Sequence, residues 1–376
     1  MPLTMSKHNS TYIIAEAGVN HNGSLSRARQ MVKVAREAGA DAVKFQCFIP
    51  ELLVTRTTPQ AAYQRRNLQN NGQDKSKTGD TASQLQMLRE LTLSQEQHRD
   101  LVLYCSQLGI DYLSSPFDLP SLRFLCRDIN LLRIKFGSGE ITNGPLLLEA
   151  AENDKHVILS TGMSNLEEIQ RALSVLAFGY IGDRIESPSL SAFEKAYESQ
   201  AGRQALTEKV VLLHCTSAYP CPYEEINLRA MDTLAGEFQL PVGLSDHSQG
   251  IEVPAAAVAR GATLVEKHFT LDRNLPGPDH KASLEPGELA QMVRSIRHIE
   301  KALGDAVKRT TDSEQDTKSV ARKHLVAATY IKSGQMFTEA NLTAKRTASG
   351  LSPMRYWDFL GQKSQRDYEP DQIIEG

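Results

Sequence analysis

Two short strings constrain the fold more than any other part of the chain. Val242-Gly243-Leu244-Ser245-Asp246-His247 and Leu264-Val265-Glu266-Lys267-His268 each begin as an apolar β-type run and end in charge. Side chains alternate along a strand, so Leu264, Glu266 and His268 share one face. Residues 248–260, rich in Ala and Val, have the length of one crossover helix, which a parallel pair requires. A carboxylate and imidazoles at the C-terminal ends of parallel strands stand where a β/α barrel carries its chemistry. His247 and His268 would then end adjacent strands, about 5 Å apart laterally, and form a two-histidine metal site.

The same unit recurs along the chain. Strands are expected at residues 11–16, 41–46, 110–113, 132–136, 156–159 and 210–213, upstream of the two strings above. Helical spacing of Leu25, Ala28, Met31, Val32 and Ala35 follows the N-cap Ser24 and stops at Gly39. Further helices are expected near 94–108, after Asp118, and at 145–151, 166–176, 228–237 and 286–303, that at 166–176 capped by Ser164 or Asn165. Eight strands alternating with helices predict a closed (β/α)8 TIM barrel over residues 1–307. Residues 49–83, polar and Gln/Asn-rich, read as a long loop over the barrel mouth with one helical turn. Residues 179–207 read as a polar, partly helical insertion. Residues 308–318 are charged and lack apolar periodicity, so they are expected to be a linker. Short β-type pieces at 320–328 and 335–337, with turns at Gly334, Gly350 and Pro370, predict a small mostly-β domain over 319–376. A total of 376 residues suits one barrel of about 250 plus such a unit.

Composition removes several classes of function. The net charge is -3, leaving no basic surplus for nucleic acid. No apolar run approaches the 18 or more residues of a membrane helix, and residues 1–10 lack the apolar core of a signal peptide. Cys47, Cys105, Cys126, Cys215 and Cys221 are scattered without a CxxC pair, which suits free thiols in a reducing cytoplasm.

Polar side chains accumulate at the C-terminal strand ends: Glu16, Lys44, Gln46, Ser115, Lys135, Ser138, Glu140, Ser160, His214, Tyr219, Ser245, His247, Glu266 and His268. Any one of them has a plain explanation as a cap or a solvated side chain; together they mark an active site. Lys44 and Lys135 are flanked by apolar residues, so either an anionic ligand lies between them or they form ordinary Lys–Glu pairs. The hydroxyls of Ser115, Ser138, Ser160 and Ser245 could bond a phosphate. Imidazole with oxygen ligands suits Mn²⁺ or a similar ion, although a satisfied core histidine or a general base fits two histidines equally. The residues alone point to a barrel enzyme acting on a phosphorylated or acidic small molecule.

Several strings resemble the bacterial sialic acid (N-acetylneuraminate) synthases. They include Ala15-Glu16-Ala17-Gly18-Val19-Asn20-His21-Asn22-Gly23, Val43-Lys44-Phe45-Gln46, Ser115-Pro116-Phe117-Asp118 and Gly137-Ser138-Gly139-Glu140. Others are Ser160-Thr161-Gly162-Met163, His214-Cys215-Thr216, Ser245-Asp246-His247, Glu266-Lys267-His268-Phe269-Thr270 and Pro276-Gly277-Pro278-Asp279-His280. The likeness spans residues 11–304. The tail is similar to the family's antifreeze-like (SAF) domain through Ile331-Lys332-Ser333-Gly334, Asn341-Leu342, Lys345-Arg346 and Leu360-Gly361.

The resemblance implies condensation of phosphoenolpyruvate with an N-acetylmannosamine-type sugar to a nine-carbon 2-keto acid and phosphate. By motif position, Lys44, Ser115, Lys135, Ser138, Ser160 and Ser245 would hold phosphoenolpyruvate. His247 and His268 would bind Mn²⁺, with Mg²⁺ or Co²⁺ as alternatives. Glu16, Gln46, Tyr219 and Asp279 would contact the sugar, and Glu140 would move a proton. Glu16, Glu140, Lys44 and Lys135 would be catalytic. The family is a domain-swapped homodimer, and Arg346 matches the arginine that reaches the partner's barrel mouth.

The chain departs from the pattern in two places. Ser217-Ala218 stands where the family carries Asn, and Thr347-Ala348-Ser349-Gly350 replaces its Pro-Gly-Asn-Gly. The 179–207 insertion resembles some legionaminic-acid-type synthases, which leaves the acceptor as N-acetylmannosamine or its 2,4-diacetamido-6-deoxy relative. A pyruvate Schiff-base aldolase using Lys44 or Lys135, and a glycan-binding or ice-binding protein led by the tail, are the other readings.

Overall fold

The computed structural model describes residues 10–61, 64–65, 83–182 and 186–376. The chain divides into two compact units, Met1–Gly304 and Asp305–Gly376.

The first unit is built on eight parallel strands: β1 (Tyr12–Gly18), β2 (Ala42–Cys47), β3 (Asp111–Pro116), β4 (Arg133–Phe136), β5 (His156–Ser160), β6 (Val210–Cys215), β7 (Val242–Asp246) and β8 (Leu264–His268). Their order is β3-β2-β1-β8-β7-β6-β5-β4. Ladders join every neighbour in that series, including β8 to β1, while β3 and β4 pack side by side at a seam. The sheet is therefore barrel-like, with one unladdered seam where full closure was expected.

Helices cover the outside. Leu25–Ala38 begins at Ser24, whose side chain accepts from the Arg27 N–H, and ends at Gly39 in the left-handed conformation. Gln95–Leu108 starts with a capping box of Ser94 and Gln97, and Leu166–Ile181 with one of Asn165 and Glu168. The single crossover helix between β7 and β8 is Glu252–Ala259, and Pro286–Leu303 closes the unit. The insertion contains two helices, Leu190–Glu198 and Gln200–Lys209, the second running into β6. The expected loop at 49–83 carries one helical turn, Pro50–Leu53, as foreseen. Directly after it, where no helix was expected, Gln84–Leu91 is an amphipathic helix that buries Leu85, Met87, Leu88 and Leu91. Residues 62–63 and 66–82 of that loop lie outside the described residues.

Strand alternation sorts the residues into two layers. Tyr12, Ile14, Ala42, Leu113, Ile158, Val211, Leu213 and Leu264 fill the barrel interior. Ile13, Val43, Ile134, Val157, Leu212 and Val265 face the helices in the outer core. Gly243 is the small member of the interior: a Cβ there would lie 2.3 Å from the Leu264 carbonyl oxygen and 2.8 Å from Leu213 Cδ2.

The second unit pairs β9 (Lys323–Ala327) with β10 (Leu342–Arg346) antiparallel over a core of Leu325, Ile331, Phe337, Leu342, Phe359, Tyr368 and Ile374. Two expectations fail here. Residues 335–337 make only a bridge, Met336 to Lys363, and the second strand lies at 342–346. The stretch expected to be a linker carries a capping box of Thr311 and Glu314, which starts a short turn and then the helix Gln315–Ala321, so Val320 is helical.

Candidate active site

The site is the next layer above the apolar interior. Two residues beyond Ile14, Ala42, Leu113, Ile158 and Leu264, on the same face, stand Glu16, Lys44, Ser115, Ser160 and Glu266. Lys135, Cys215 and Ser245 complete this layer from β4, β6 and β7. All eight are buried. One more step along the chain brings Gln46, His247 and His268 to the rim. β1 bulges between Glu16 and Gly18, and Gly18 adopts a φ of +50°. A Cβ on Gly18 would sit 3.3 Å from Glu16 Oε1 and 3.4 Å from His268 Cε1, so the bare backbone makes room for both.

At the floor, two lysines and two carboxylates form one network. Lys44 Nζ lies 2.8 Å from Glu16 and 3.6 Å from Glu266; Lys135 Nζ lies 3.3 Å from Glu266. The hydroxyls join it: Lys44 donates to Ser115 Oγ at 3.2 Å, Lys135 to Ser160 Oγ at 2.8 Å, and Ser245 Oγ to Glu266 at 3.0 Å. Lys–Glu pairs are thus present, so the lysines by themselves do not call for an anionic ligand. What points to one is the open, hydroxyl-lined cavity above them.

The environments push the two carboxylates apart. Burial drives Glu16 up to about 7 against the pull of Lys44. Burial also raises Glu266, but Lys135 and Lys44 outweigh it and hold this carboxyl below the usual range. Burial lowers Lys135, whereas Glu16 and Glu266 outweigh burial at Lys44 and raise it. Such divergence at one floor is characteristic of a functional site.

The rim carries the remaining candidates. The His247 and His268 rings are 5.5 Å apart between centroids, and the Tyr219 ring stands 4.2 Å from the first and 6.0 Å from the second. Ser138 Oγ accepts the Gly162 N–H at 3.0 Å. Glu140, on the turn after β4, accepts from the Asn143 amide at 2.8 Å and is raised by burial. Asp279 is buried and pushed up to about 6. Glu16, Lys44, Gln46, Ser115, Lys135, Ser138, Glu140, Ser160, Tyr219, Ser245, His247, Glu266, His268 and Asp279 line a single cavity of about 420 Å³, within the range of small-molecule sites. Arg346 ends β10 in the second unit and is exposed.

One strand-end residue points elsewhere. His214 faces away from the cavity, its Nε2 bonding the Ile226 carbonyl at 2.6 Å. Alternation along β6 gives the cavity Cys215 instead, a residue the reading by polarity missed. The lining also includes Ser217 and the apolar side chains of Leu53, Val54, Met87, Leu88 and Leu91. The apolar spacing of Leu85, Leu88 and Leu91 was the available signal for that helix.

Among the described residues, no three His, Cys, Asp or Glu side chains converge as a metal site. A two-imidazole donor set nevertheless fits a divalent ion. His247 Nδ1 faces the Thr216 carbonyl at 2.9 Å, which leaves Nε2 its lone pair when the ring is neutral. His268 Nδ1 is buried without a hydrogen-bond partner, and burial, with His247 beside it, holds that ring neutral. At His247, Cys215 outweighs burial and raises the imidazole, so an ion would compete there with a proton.

The family model described as NeuB matches residues 31–308. The chain belongs to the NeuB family. It is 45% identical over 364 residues to the N,N'-diacetyllegionaminic acid synthase of Campylobacter jejuni, covering 97% of this chain and 98% of that protein. It is 40% identical to the Legionella pneumophila protein of the same name, over 94% of this chain and 90% of that one. Among solved structures, the N-acetylneuraminic acid synthetase of Leptospira borgpetersenii, in complex with citrate, superposes with a TM-score of 0.64 at 32% identity, over 84% of this chain and 95% of that one. This NeuB-family chain is a phosphoenolpyruvate-dependent enzyme of the N-acetylneuraminate synthase type.

Proposed function

We propose that the enzyme condenses phosphoenolpyruvate with 2,4-diacetamido-2,4,6-trideoxymannose, giving N,N'-diacetyllegionaminic acid and phosphate. The observation that carries this choice is the 45% and 40% identity, nearly end to end, to two proteins named for that product. It favours the 2,4-diacetamido sugar over N-acetylmannosamine. The apolar side chains of Leu53, Met87 and Leu88 in the cavity lining suit acetamido and deoxy methyl groups better than hydroxyls.

The chain's own residues have distinct tasks in this reading. Lys44 and Lys135 neutralise the phosphate and carboxylate of phosphoenolpyruvate, and Ser115, Ser138, Ser160 and Ser245 orient its oxygens. Glu16, Gln46, Tyr219 and Asp279 hold the open-chain sugar so that its aldehyde carbon meets the methylene carbon of phosphoenolpyruvate. That carbon–carbon bond forms, water adds at C2, and phosphate leaves with cleavage of its C–O bond. Glu140 moves a proton near the reacting centre. A Mn²⁺, Mg²⁺ or Co²⁺ ion held by His247 and His268 would supply Lewis-acid polarisation of the aldehyde oxygen. The unit 305–376 takes the part of an SAF domain, and Arg346 of the partner subunit completes the sugar site in a domain-swapped homodimer. No helix among the described residues is long and apolar enough to cross a membrane; with five free, buried cysteines, we place the enzyme in the cytoplasm.

Phosphate release from phosphoenolpyruvate with Mn²⁺ tests the reading. The 2,4-diacetamido-6-deoxy sugar should exceed N-acetylmannosamine in kcat/KM by roughly 10–200-fold, with no release without sugar and none from His247→Ala. Faster turnover of N-acetylmannosamine would overturn the sugar assignment. No release with either sugar, from folded Mn²⁺-loaded protein, would overturn the synthase itself.

A further inference from the structure

We propose that the buried Asp246–Lys267 ion pair is a positioning element that sets the spacing of His247 and His268, an inference that rests on the reading of those histidines as metal ligands. Asp246 and Lys267 are register partners across β7 and β8, each one residue before a histidine. Alternation turns the histidines to the cavity and this pair outward, into the layer between strands and helices. Elsewhere that layer is mostly apolar, filled by residues such as Ile13, Val43, Val157 and Leu212, with Ser114 and His214 as uncharged or partly buried polar exceptions. Lys267 is 1% exposed and Asp246 3%. A buried ion pair is weak evidence for stability, since apolar residues of the same volume serve equally well. A fully buried charged pair in a mostly apolar layer asks for another reason.

The bonding supplies one. Lys267 Nζ pairs with the Asp246 carboxylate and donates to the Ser248 carbonyl at 2.7 Å. Asp246 in turn accepts the Ser248 N–H at 2.9 Å and the Ser248 hydroxyl at 3.0 Å. The turn 246–248 is therefore closed on both sides of His247 by a side chain that comes from β8, the strand whose next residue is His268. The remaining freedom of His247 is taken up by its carbonyl, which accepts the Cys221 N–H at 2.8 Å, and by its Nδ1 contact with Thr216. Of these bonds, the Lys267 link is the one that ties the loop of one histidine to the strand of the other. An apolar pair would fill the space but could not hold the Ser248 carbonyl.

The test uses the full-length protein and Mn²⁺ as probe, with binding read from the electron paramagnetic resonance signal of free Mn²⁺. The double variant Asp246→Leu with Lys267→Met removes the network without leaving an unpaired charge. It should unfold within a few degrees of the wild type yet bind Mn²⁺ at least 10-fold more weakly, with kcat falling while the KM for phosphoenolpyruvate stays within about 2-fold. Unchanged Mn²⁺ affinity in the folded double variant would overturn the inference alone. Should that variant not fold, Lys267→Gln decides: its side chain is one atom too short to reach both partners, so Mn²⁺ affinity should drop at least 3-fold, and an unchanged affinity overturns the inference. A wild type that binds no Mn²⁺ overturns the metal reading and this inference together.

Discussion

At the scale of the residue, burial decides what each carboxylate can do. Asp279 sits at about 6, against an ordinary value of 3.8, because it is buried; His247 pulls the other way. The folded state therefore keeps a proton that the unfolded chain releases between those two values. Stability falls as pH rises from about 4 to 6, and the penalty is fully present above 6. In metal-free enzyme, Asp279→Asn should remove that part of the pH dependence and raise stability at pH 7.5 by up to roughly 3 kcal/mol, since each tenfold change in proton affinity is worth about 1.4 kcal/mol. Urea unfolding of both proteins from pH 4 to 8 reads the difference directly; parallel curves would show that Asp279 is not the group responsible. Glu16 is raised in the same sense and Glu266 lowered, so only the difference between variant and wild type isolates Asp279.

At the scale of the element, the barrel interior leaves no room at β7. Gly243 meets the Leu264 carbonyl and the Leu213 side chain so closely that even a methyl group collides with backbone. Gly243→Ala should cost about 1–3 kcal/mol through overpacking, read as a lowered Tm, with a further loss of Mn²⁺ affinity as β7 shifts His247. A Tm equal to the wild type would mean that β7 and β8 can separate freely, contrary to their ladder. The helix Gln84–Leu91 belongs to the same scale. Its apolar side chains bury over the barrel mouth with Val19 and Phe48, and so a segment to which the sequence reading assigned no element forms part of the cavity wall.

At the scale of the whole molecule, the two units have separate cores, and the proposed swap joins them across subunits. Lys44→Ala and Arg346→Ala homodimers should each lose at least 100-fold in kcat/KM. Mixed dimers formed by co-expression should regain up to about a quarter of wild-type activity, because one of the two hybrid sites then holds both residues and half of the dimers are mixed. No recovery would show that Arg346 acts within its own chain or not at all.

What was legible in the sequence was whatever depends on period and spacing. The β/α alternation, the cap at Ser24, the crossover between β7 and β8, and the strand ends carrying Glu16, Lys44, Lys135, His247 and His268 all follow from local pattern. Parallel strands must be linked by helices, and side chains must alternate, whatever the rest of the chain does. Tertiary structure alone decided the pairing of Lys44 with Glu16 and of Lys135 with Glu266, because those partners come from distant strands. It also decided that Cys215 rather than His214 faces the cavity, that β3 and β4 meet without a ladder, and that Asp246 and Lys267 tie the histidine-bearing strand ends together. Each depends on register and on long-range burial, which local composition does not encode.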